Sequence, residues 1–236
     1  DLHPRVRRQR QMCIRDRRLV VDNSEPYAPE WNHIVRKCEG RAYEEFVSAA
    51  TDRFDPDKLC EYPFRHAQSL YEGQRSETNI KRVVNLTRCA YTGSQRFGTI
   101  LWSGDTSASW DTYKKQIATG LNFCASGLPY WTMDIGGFFV KHSVNWYWDG
   151  DYDNTVSDPA YKELYVRWFQ WGAFLPIFRA HGTDCRREPW AFEDINDMRF
   201  YNAIVKANHL RYKLIPYIYS AAANAYFEDG LSLIHI

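Results

Sequence analysis

The chain turns from an apolar run to a helical pattern within residues 98–125, GTILWSGDTSASWDTYKKQIATGLNFCA. Residues 98–102 predict a short buried strand, and the apolar residues of 110–125 recur at the spacing of an amphipathic helix. Between these two elements lies Asp105, at the point where the strand ends. A strand, a polar loop and a helix in this order are typical of folds in which parallel strands alternate with crossover helices.

Similar units lie on both sides of this stretch. The apolar runs predict strands over residues 19–21, 83–87, 98–102, 128–133 and 174–178. The helical patterns cover residues 42–50, 62–71, 110–125, 160–171 and 196–227. Five strands alternating with five helices predict an α/β fold with a parallel sheet, although they do not complete an eightfold barrel.

A polar or charged residue follows each predicted strand. In chain order these residues are Asp22, Arg88, Asp105, Asp134, and Arg179 with His181. Barrels and open α/β sheets build their active sites at the carboxyl ends of parallel strands, so this series predicts a site. Because Asp also caps helices and occupies turns, two alternatives stay open. Asp105 could cap the helix over 110–125, and Asp22 could be a turn residue before Pro26.

The composition excludes several classes of protein. The 236 residues include 30 Lys+Arg and 29 Asp+Glu, a net charge of +1, so no electrostatic footprint for nucleic acid is present. No apolar run approaches the roughly 18 residues of a membrane span. Aromatic residues make up 16% of the chain. We expect about two thirds of these rings in the core and the rest in a pocket for a ligand such as a sugar.

Neither a metal nor a cofactor is expected. The six cysteines form no C-x-x-C or C-x-x-H pair that would indicate a zinc site. The carboxylates stand at separate strand ends without a cluster of His or Cys. A metal-dependent hydrolase that uses Asp22, Asp134 and His181 therefore has no metal-ligand spacing to support it.

Separate carboxylates suit glycoside hydrolysis, in which one acts as nucleophile and another as general acid. An ordinary Asp, with a pKa of about 3.9, is ionised at neutral pH and cannot donate a proton. The acid therefore needs surroundings that raise its pKa. Asp105 fits the acid because Trp102 and Trp110 lie near it in sequence, and Asp22 fits the nucleophile.

Seven segments together resemble glycoside hydrolase family 31. In chain order they are residues 86–88, 95–98, 102–105 with Trp110, 131–138, 164–170, 178–182 and 187–190. The resemblance runs from about residue 19 to about residue 230. It implies a retaining α-glycosidase on a partial (β/α)8 TIM barrel, extending from about the tip of the fourth strand to the eighth helix and truncated at both ends.

The resemblance also implies roles for individual residues. Asp22 matches the nucleophile of the family's D-x-x-E segment, and Asp105 matches the acid/base that follows the sixth strand. The remaining matches are substrate-binding positions. They are Asp134, Arg88 and His181 for sugar hydroxyls and the nucleophile, Trp102 for stacking, Arg179 for holding Asp134 or its neighbours, and Phe138 as a further pocket residue.

Residues 62–63, 66–67 and 71–75 look most like the α-xylosidase branch of the family. The expected substrate is an oligosaccharide or small glycoside with a terminal non-reducing α-linked sugar. An α-glucosidase of the same family and a non-catalytic truncated fragment stay open as alternatives. The sequence leaves the compartment undetermined and allows an oligomer of the full-length enzyme.

The two ends differ from the rest of the chain. Residues 1–17 are rich in Arg and Gln, and together with residues 231–236 they resemble translated sequencing-adapter DNA. We expect both segments to be non-native and residues 18–230 to form the partial barrel domain.

Overall fold

The computed structural model describes residue 58, residues 61–143 and residues 149–228. The chain divides between Tyr62 and Pro63, and the elements below belong to the second unit apart from the first residue of α1. The predicted strand over 19–21, the predicted helix over 42–50 and Asp22 lie outside the described residues.

The sheet of the described region consists of three parallel strands in sequence order. They are β1 Asn85–Thr87, β2 Thr99–Trp102 and β3 Trp131–Thr132. Leu86 pairs with Ile100 across β1 and β2, and Leu101 pairs with Trp131 across β2 and β3. The sheet confirms the strands predicted over 83–87, 98–102 and 128–133, although each is shorter than its apolar run.

Residues 61–143 and 149–228 also form four α-helices. They are α1 Tyr62–Glu77, α2 Trp110–Ala125, α3 Pro159–Gly172 and α4 Arg199–Phe227. The predicted helix over 110–125 is confirmed at both ends, α1 runs six residues beyond its prediction, and α4 begins three residues later than predicted. Short 3-10 turns cover Ser94–Phe97, Thr155–Ser157 and Pro189–Phe192. Within the described residues, no helix is both long and apolar enough to cross a bilayer.

The core lies where α2 and α3 meet the sheet. Aromatic rings make many of these contacts. Tyr113 of α2 lies 5.2 Å from Trp168 of α3, and Trp131 of β3 lies 5.9 Å from Trp171 of α3, measured between ring centroids. Trp131 and Trp168 are almost completely buried. Aromatic rings thus form much of this core, but other described rings, such as those of Tyr212 and Tyr226, are exposed, so the expected two thirds are not found in the interior.

The predicted strand over residues 174–178 is wrong. The segment forms turns and bends and joins no ladder. Pro176 lacks the N–H that a ladder needs. Side chains take up the carbonyl groups instead: Thr132 Oγ1 donates to Ile177 O at 3.0 Å, and the Arg211 guanidinium donates to Ala173 O at 3.1 Å and to Pro176 O at 2.9 Å. The apolar run is thus held beside β3 by side-chain hydrogen bonds.

Candidate active site

The residues predicted to bind or react lie at the carboxyl ends of the three strands. Arg88 follows β1, Asp105 follows β2 and Asp134 follows β3. Arg179 and His181 follow the irregular segment beside β3. The structure brings these side chains to one edge of the sheet, as expected for parallel strands. The predicted nucleophile Asp22 lies outside the described residues.

Asp134 is completely buried, and its Oδ1 forms an ion pair with Nη1 of Arg179. Burial raises the pKa of the Asp134 carboxyl, while Arg179 and His181 act in the opposite direction. Among the described residues, its second oxygen, Oδ2, has no hydrogen-bond partner. A buried acceptor without a partner is costly, so this oxygen is suited to receive a hydroxyl of a bound ligand.

Asp105 has a different environment. Its side chain is 17% exposed, and Oδ2 lies 3.6 Å from Nη2 of Arg88, whose side chain is 52% exposed. The alternative that Asp105 caps α2 is wrong. Ser109 is the N-cap, and its Oγ accepts a hydrogen bond from the Thr112 N–H at 3.1 Å. Asp105 precedes that cap by four residues, so its carboxylate does not cap α2.

The ring of Trp102 contacts the arginine of each acid–arginine pair. Cζ of Arg88 lies 5.5 Å and Cζ of Arg179 lies 5.7 Å from the centroid of its ring. Cations at this distance are attracted to the ring face. Its indole N–H is buried and has no partner among the described residues. Trp102 therefore contacts both arginines and also places an indole N–H without a described partner next to them.

Phe138 and His181 form another contact near Asp134. Their ring centroids are 5.5 Å apart. His181 is exposed, whereas Phe138 is half-buried. His181 is close enough to Asp134 to act on its pKa, as noted above. Both predicted residues thus lie beside the buried carboxylate.

Two loops that carry the aspartates contact each other through the main chain. The Phe138 N–H donates to Thr106 O at 2.7 Å, and the Ala108 N–H donates to Phe139 O at 2.8 Å. Gly137 has φ +78°, and a Cβ there would lie 2.5 Å from Cα of Ala108. Only glycine combines this backbone conformation with so close an approach. The loop after β2 and the turn after β3 therefore pack directly on each other.

Arg187 is a buried side chain that is not among the predicted site residues. Nη1 donates to Thr183 O at 2.7 Å and to Cys185 O at 3.1 Å. Nη2 donates to Gly137 O at 2.7 Å and to Phe138 O at 3.1 Å. The sequence signal was present, since Arg187 opens one of the seven family-like segments, but its neighbours in sequence do not indicate its burial.

These groups can recognise a polyhydroxylated ligand. The edge offers one partly exposed carboxylate, one buried carboxylate with a free oxygen, an aromatic ring and an unused N–H donor. Aromatic rings with a few convergent polar groups are typical of small-molecule sites. The described residues contain no group of three His, Cys, Asp or Glu side chains placed to hold a metal ion.

The model of the glycosyl hydrolases family 31 TIM-barrel domain matches residues 16–221. The chain belongs to glycoside hydrolase family 31. Family 31 relatives include an α-xylosidase of Saccharolobus solfataricus, 47% identical over 168 residues, or 71% of this chain and 20% of the relative. α-Xylosidase A of Aspergillus niger is 42% identical over 187 residues, or 73% of this chain and 24% of the relative.

A solved structure gives the same family. The crystal structure of the α-xylosidase from Xanthomonas citri matches with a TM-score of 0.63 and 41% identity, covering 72% of this chain and 18% of that one. The resemblance to family 31 inferred from the seven segments is thereby confirmed. The chain spans about a fifth to a quarter of the length of these curated relatives.

Proposed function

We propose that this chain is part of a retaining α-glycosidase that releases terminal non-reducing α-linked sugars, with α-xylosides as its preferred substrates. The observation that carries the proposal is the pair of unlike carboxylates at neighbouring strand ends. Asp105 is accessible for proton transfer, and Asp134 is buried with one oxygen free for a sugar hydroxyl. The relatives from Saccharolobus solfataricus and Aspergillus niger described above are named α-xylosidases, which supports the choice of sugar.

In the proposed fold, the described sheet is part of a (β/α)8 barrel that the chain covers from about the tip of the fourth strand to the eighth helix. β1, β2 and β3 would be the fifth, sixth and seventh strands. Their parallel order and the polar residues at their carboxyl ends support this assignment. The segment over 174–178 would occupy the place of the eighth strand without forming a regular ladder.

In the proposed mechanism, Asp22 attacks the anomeric carbon while the glycosidic bond breaks. Asp105 gives its proton to the leaving oxygen and later takes a proton from the water that hydrolyses the glycosyl-enzyme. This double displacement returns both carboxyl groups to their starting states and retains the anomeric configuration. It requires about 5–5.5 Å between the two carboxyl groups.

The other residues would bind the sugar. Asp134, Arg88 and His181 would bind hydroxyl groups, Trp102 would stack on the sugar ring, and Phe138 would line the pocket. Arg179 would hold Asp134 in place through the ion pair. The unpartnered Oδ2 of Asp134 supports its part in this arrangement, because a bound hydroxyl would complete its hydrogen bonding.

The test measures hydrolysis of α-xylosides by the protein expressed at the length its gene encodes. Asp22→Asn should abolish turnover. Asp105→Asn should lower kcat by about 10²–10⁴-fold on an alkyl α-xyloside, and by less on a p-nitrophenyl α-xyloside, whose leaving group needs little protonation. Asp111→Asn is the matched control, since Asp111 is an exposed aspartate on α2 paired with Lys115.

Unchanged activity of the Asp22→Asn variant would contradict the proposal. Proton NMR of the first-formed sugar should show the α-anomer, as retention demands. The ratio of kcat/KM for α-xylosides to that for α-glucosides separates the proposal from an α-glucosidase. Xylose lacks the C6 hydroxymethyl group of glucose, and one buried group near that carbon changes the discrimination between the two sugars by about 1–3 kcal/mol. A cooperative melt with a Trp fluorescence response to xylose, but without turnover, would indicate a non-catalytic sugar-binding piece.

A further inference from the structure

Arg187 is buried, and its guanidinium bonds to main-chain oxygens. Each hydrogen bond that its side chain makes to a described residue ends on a carbonyl group. A buried cation needs full hydrogen bonding to offset the loss of water. The carbonyl groups satisfy both terminal nitrogens, Nη1 and Nη2, whereas Nε has no hydrogen-bond partner among the described residues. Their number and placement match the planar fork of a guanidinium better than the point charge of an ammonium.

The four carbonyl groups belong to two different loops. Gly137 and Phe138 lie in the turn after Asp134, and Thr183 and Cys185 lie in the loop after His181. One side chain therefore bridges the two segments that carry Asp134 and His181.

Further bonds continue this bridge to the site. The Gly137 N–H donates to Asp134 O at 3.0 Å. The turn to which Arg187 donates is therefore hydrogen-bonded to the main chain of Asp134. The Thr183 N–H donates to Phe138 O at 2.9 Å, which joins the two loops directly. Tyr165 of α3 donates from its hydroxyl to Arg187 O at 2.6 Å. Because Tyr165 is buried in the core, the bridge is anchored to a rigid helix.

We propose that Arg187 is a positioning residue, which fixes the turn after Asp134 against the loop after His181 and so holds both side chains in place for the sugar. The expected effect of Arg187 on catalysis rests on the proposed function. The Arg187 side chain does not touch the substrate or the reacting atoms. It acts through Gly137, Phe138 and Thr183.

The test compares Arg187→Lys and Arg187→Met with Arg167→Met in the protein at its full encoded length. Arg167 is a suitable control, because it lies exposed on α3 and pairs with Glu163. Amide hydrogen exchange at Gly137 and Thr183 should become faster in both Arg187 variants, while exchange within α2 stays as in the wild type. The KM for an α-xyloside should rise, and kcat/KM should fall by roughly a hundredfold, as for a misplacement of about 1 Å.

Two comparisons separate positioning from loss of stability. The Lys variant keeps the charge but not the fork, so it should not restore kinetics if the four carbonyl contacts matter. Millimolar guanidinium should partly restore kcat/KM in an Arg187→Ala variant and should have no effect on Arg167→Met. If Arg187→Met fails to fold, amide exchange and kinetics are measured on Arg187→Lys alone.

Wild-type kinetics in Arg187→Lys would overturn the proposal, and so would faster exchange without any kinetic change. A wild-type protein without glycosidase activity would end the proposed function but not this test. In that case faster exchange at Gly137 and Thr183 would still support the bridge, and unchanged exchange would refute it.

Discussion

The ends of β2 and β3 present the same residue type in opposite surroundings. Asp105, after β2, is partly exposed and faces a half-exposed arginine at 3.6 Å, whereas Asp134, after β3, is completely buried against Arg179. Both aspartates follow short strands of the same sheet. The arginine partners differ in the same direction, since the side chain of Arg179 is 21% exposed and that of Arg88 is 52% exposed. A strand-end position therefore places a carboxylate in a site without determining its burial.

The largest expected effect comes from replacing the arginine partner of each aspartate. Arg179→Met should lower the free energy of unfolding by about 3–5 kcal/mol, because it leaves a buried carboxylate without its partner. Arg88→Met should cost less than about 1 kcal/mol, because a pair this exposed is well screened. Urea unfolding of the two variants measures both losses, and equal losses would mean that the two strand ends do not differ as described.

Glycines at the two ends give a second test. Gly137→Ala would place a Cβ 2.5 Å from main-chain atoms of Ala108 at φ +78°, whereas Gly104→Ala would place one 2.7 Å from the flexible end of Arg88 at φ +75°. Both variants should lose about 1–2 kcal/mol from the left-handed backbone conformation. Only Gly137→Ala should lose a further 1–3 kcal/mol or so from overpacking. Thermal unfolding should rank the variants in this order, and the reverse order would contradict the rigid contact between the loops.

The smallest expected effect concerns pH. Burial raises the pKa of folded Asp134 above that of the unfolded chain, about 3.9. Between these two values the folded state holds more protons, so this residue's contribution to stability falls as pH rises through that window. Asp134→Asn avoids the cost of the buried charge above the window. The Tm of Asp134→Asn minus that of the wild type should be more positive at pH 7 than at pH 4. A pH-independent difference would contradict the raised pKa of Asp134. Asp111→Asn, at an exposed position on α2, is the control variant.

Local patterns carried much of the fold prediction. α2 matches its predicted bounds because its apolar spacing and its cap are both encoded nearby, in Ser109 and the residues after it. The three strands were found because short apolar runs followed by a polar residue are characteristic of buried parallel strands. Their exact length depends on pairing with neighbours, which a single strand's sequence does not contain.

The errors have a common physical origin in distant side chains. Residues 174–178 read as a strand, but Arg211, more than thirty residues later, and Thr132, more than forty residues earlier, bind their carbonyl groups. The burial of Arg187 likewise depends on carbonyls of residues 137 and 138. The pairing of Asp134 with Arg179 followed from the family resemblance rather than from spacing. The roles of these residues in catalysis stay predictions, as does that of Asp22.

The hydrogen bonds that join residues 106–108 to residues 138–139 also affect how this edge of the sheet can move. Because these two loops are bonded to each other, displacing one of them alone would break main-chain hydrogen bonds. The side chain of Arg88 at this edge is half in solvent. Exposed side chains change rotamer within picoseconds to nanoseconds, whereas loops take nanoseconds to microseconds. Motion at this edge is therefore expected to be faster in an exposed side chain such as that of Arg88 than in the two bonded loops.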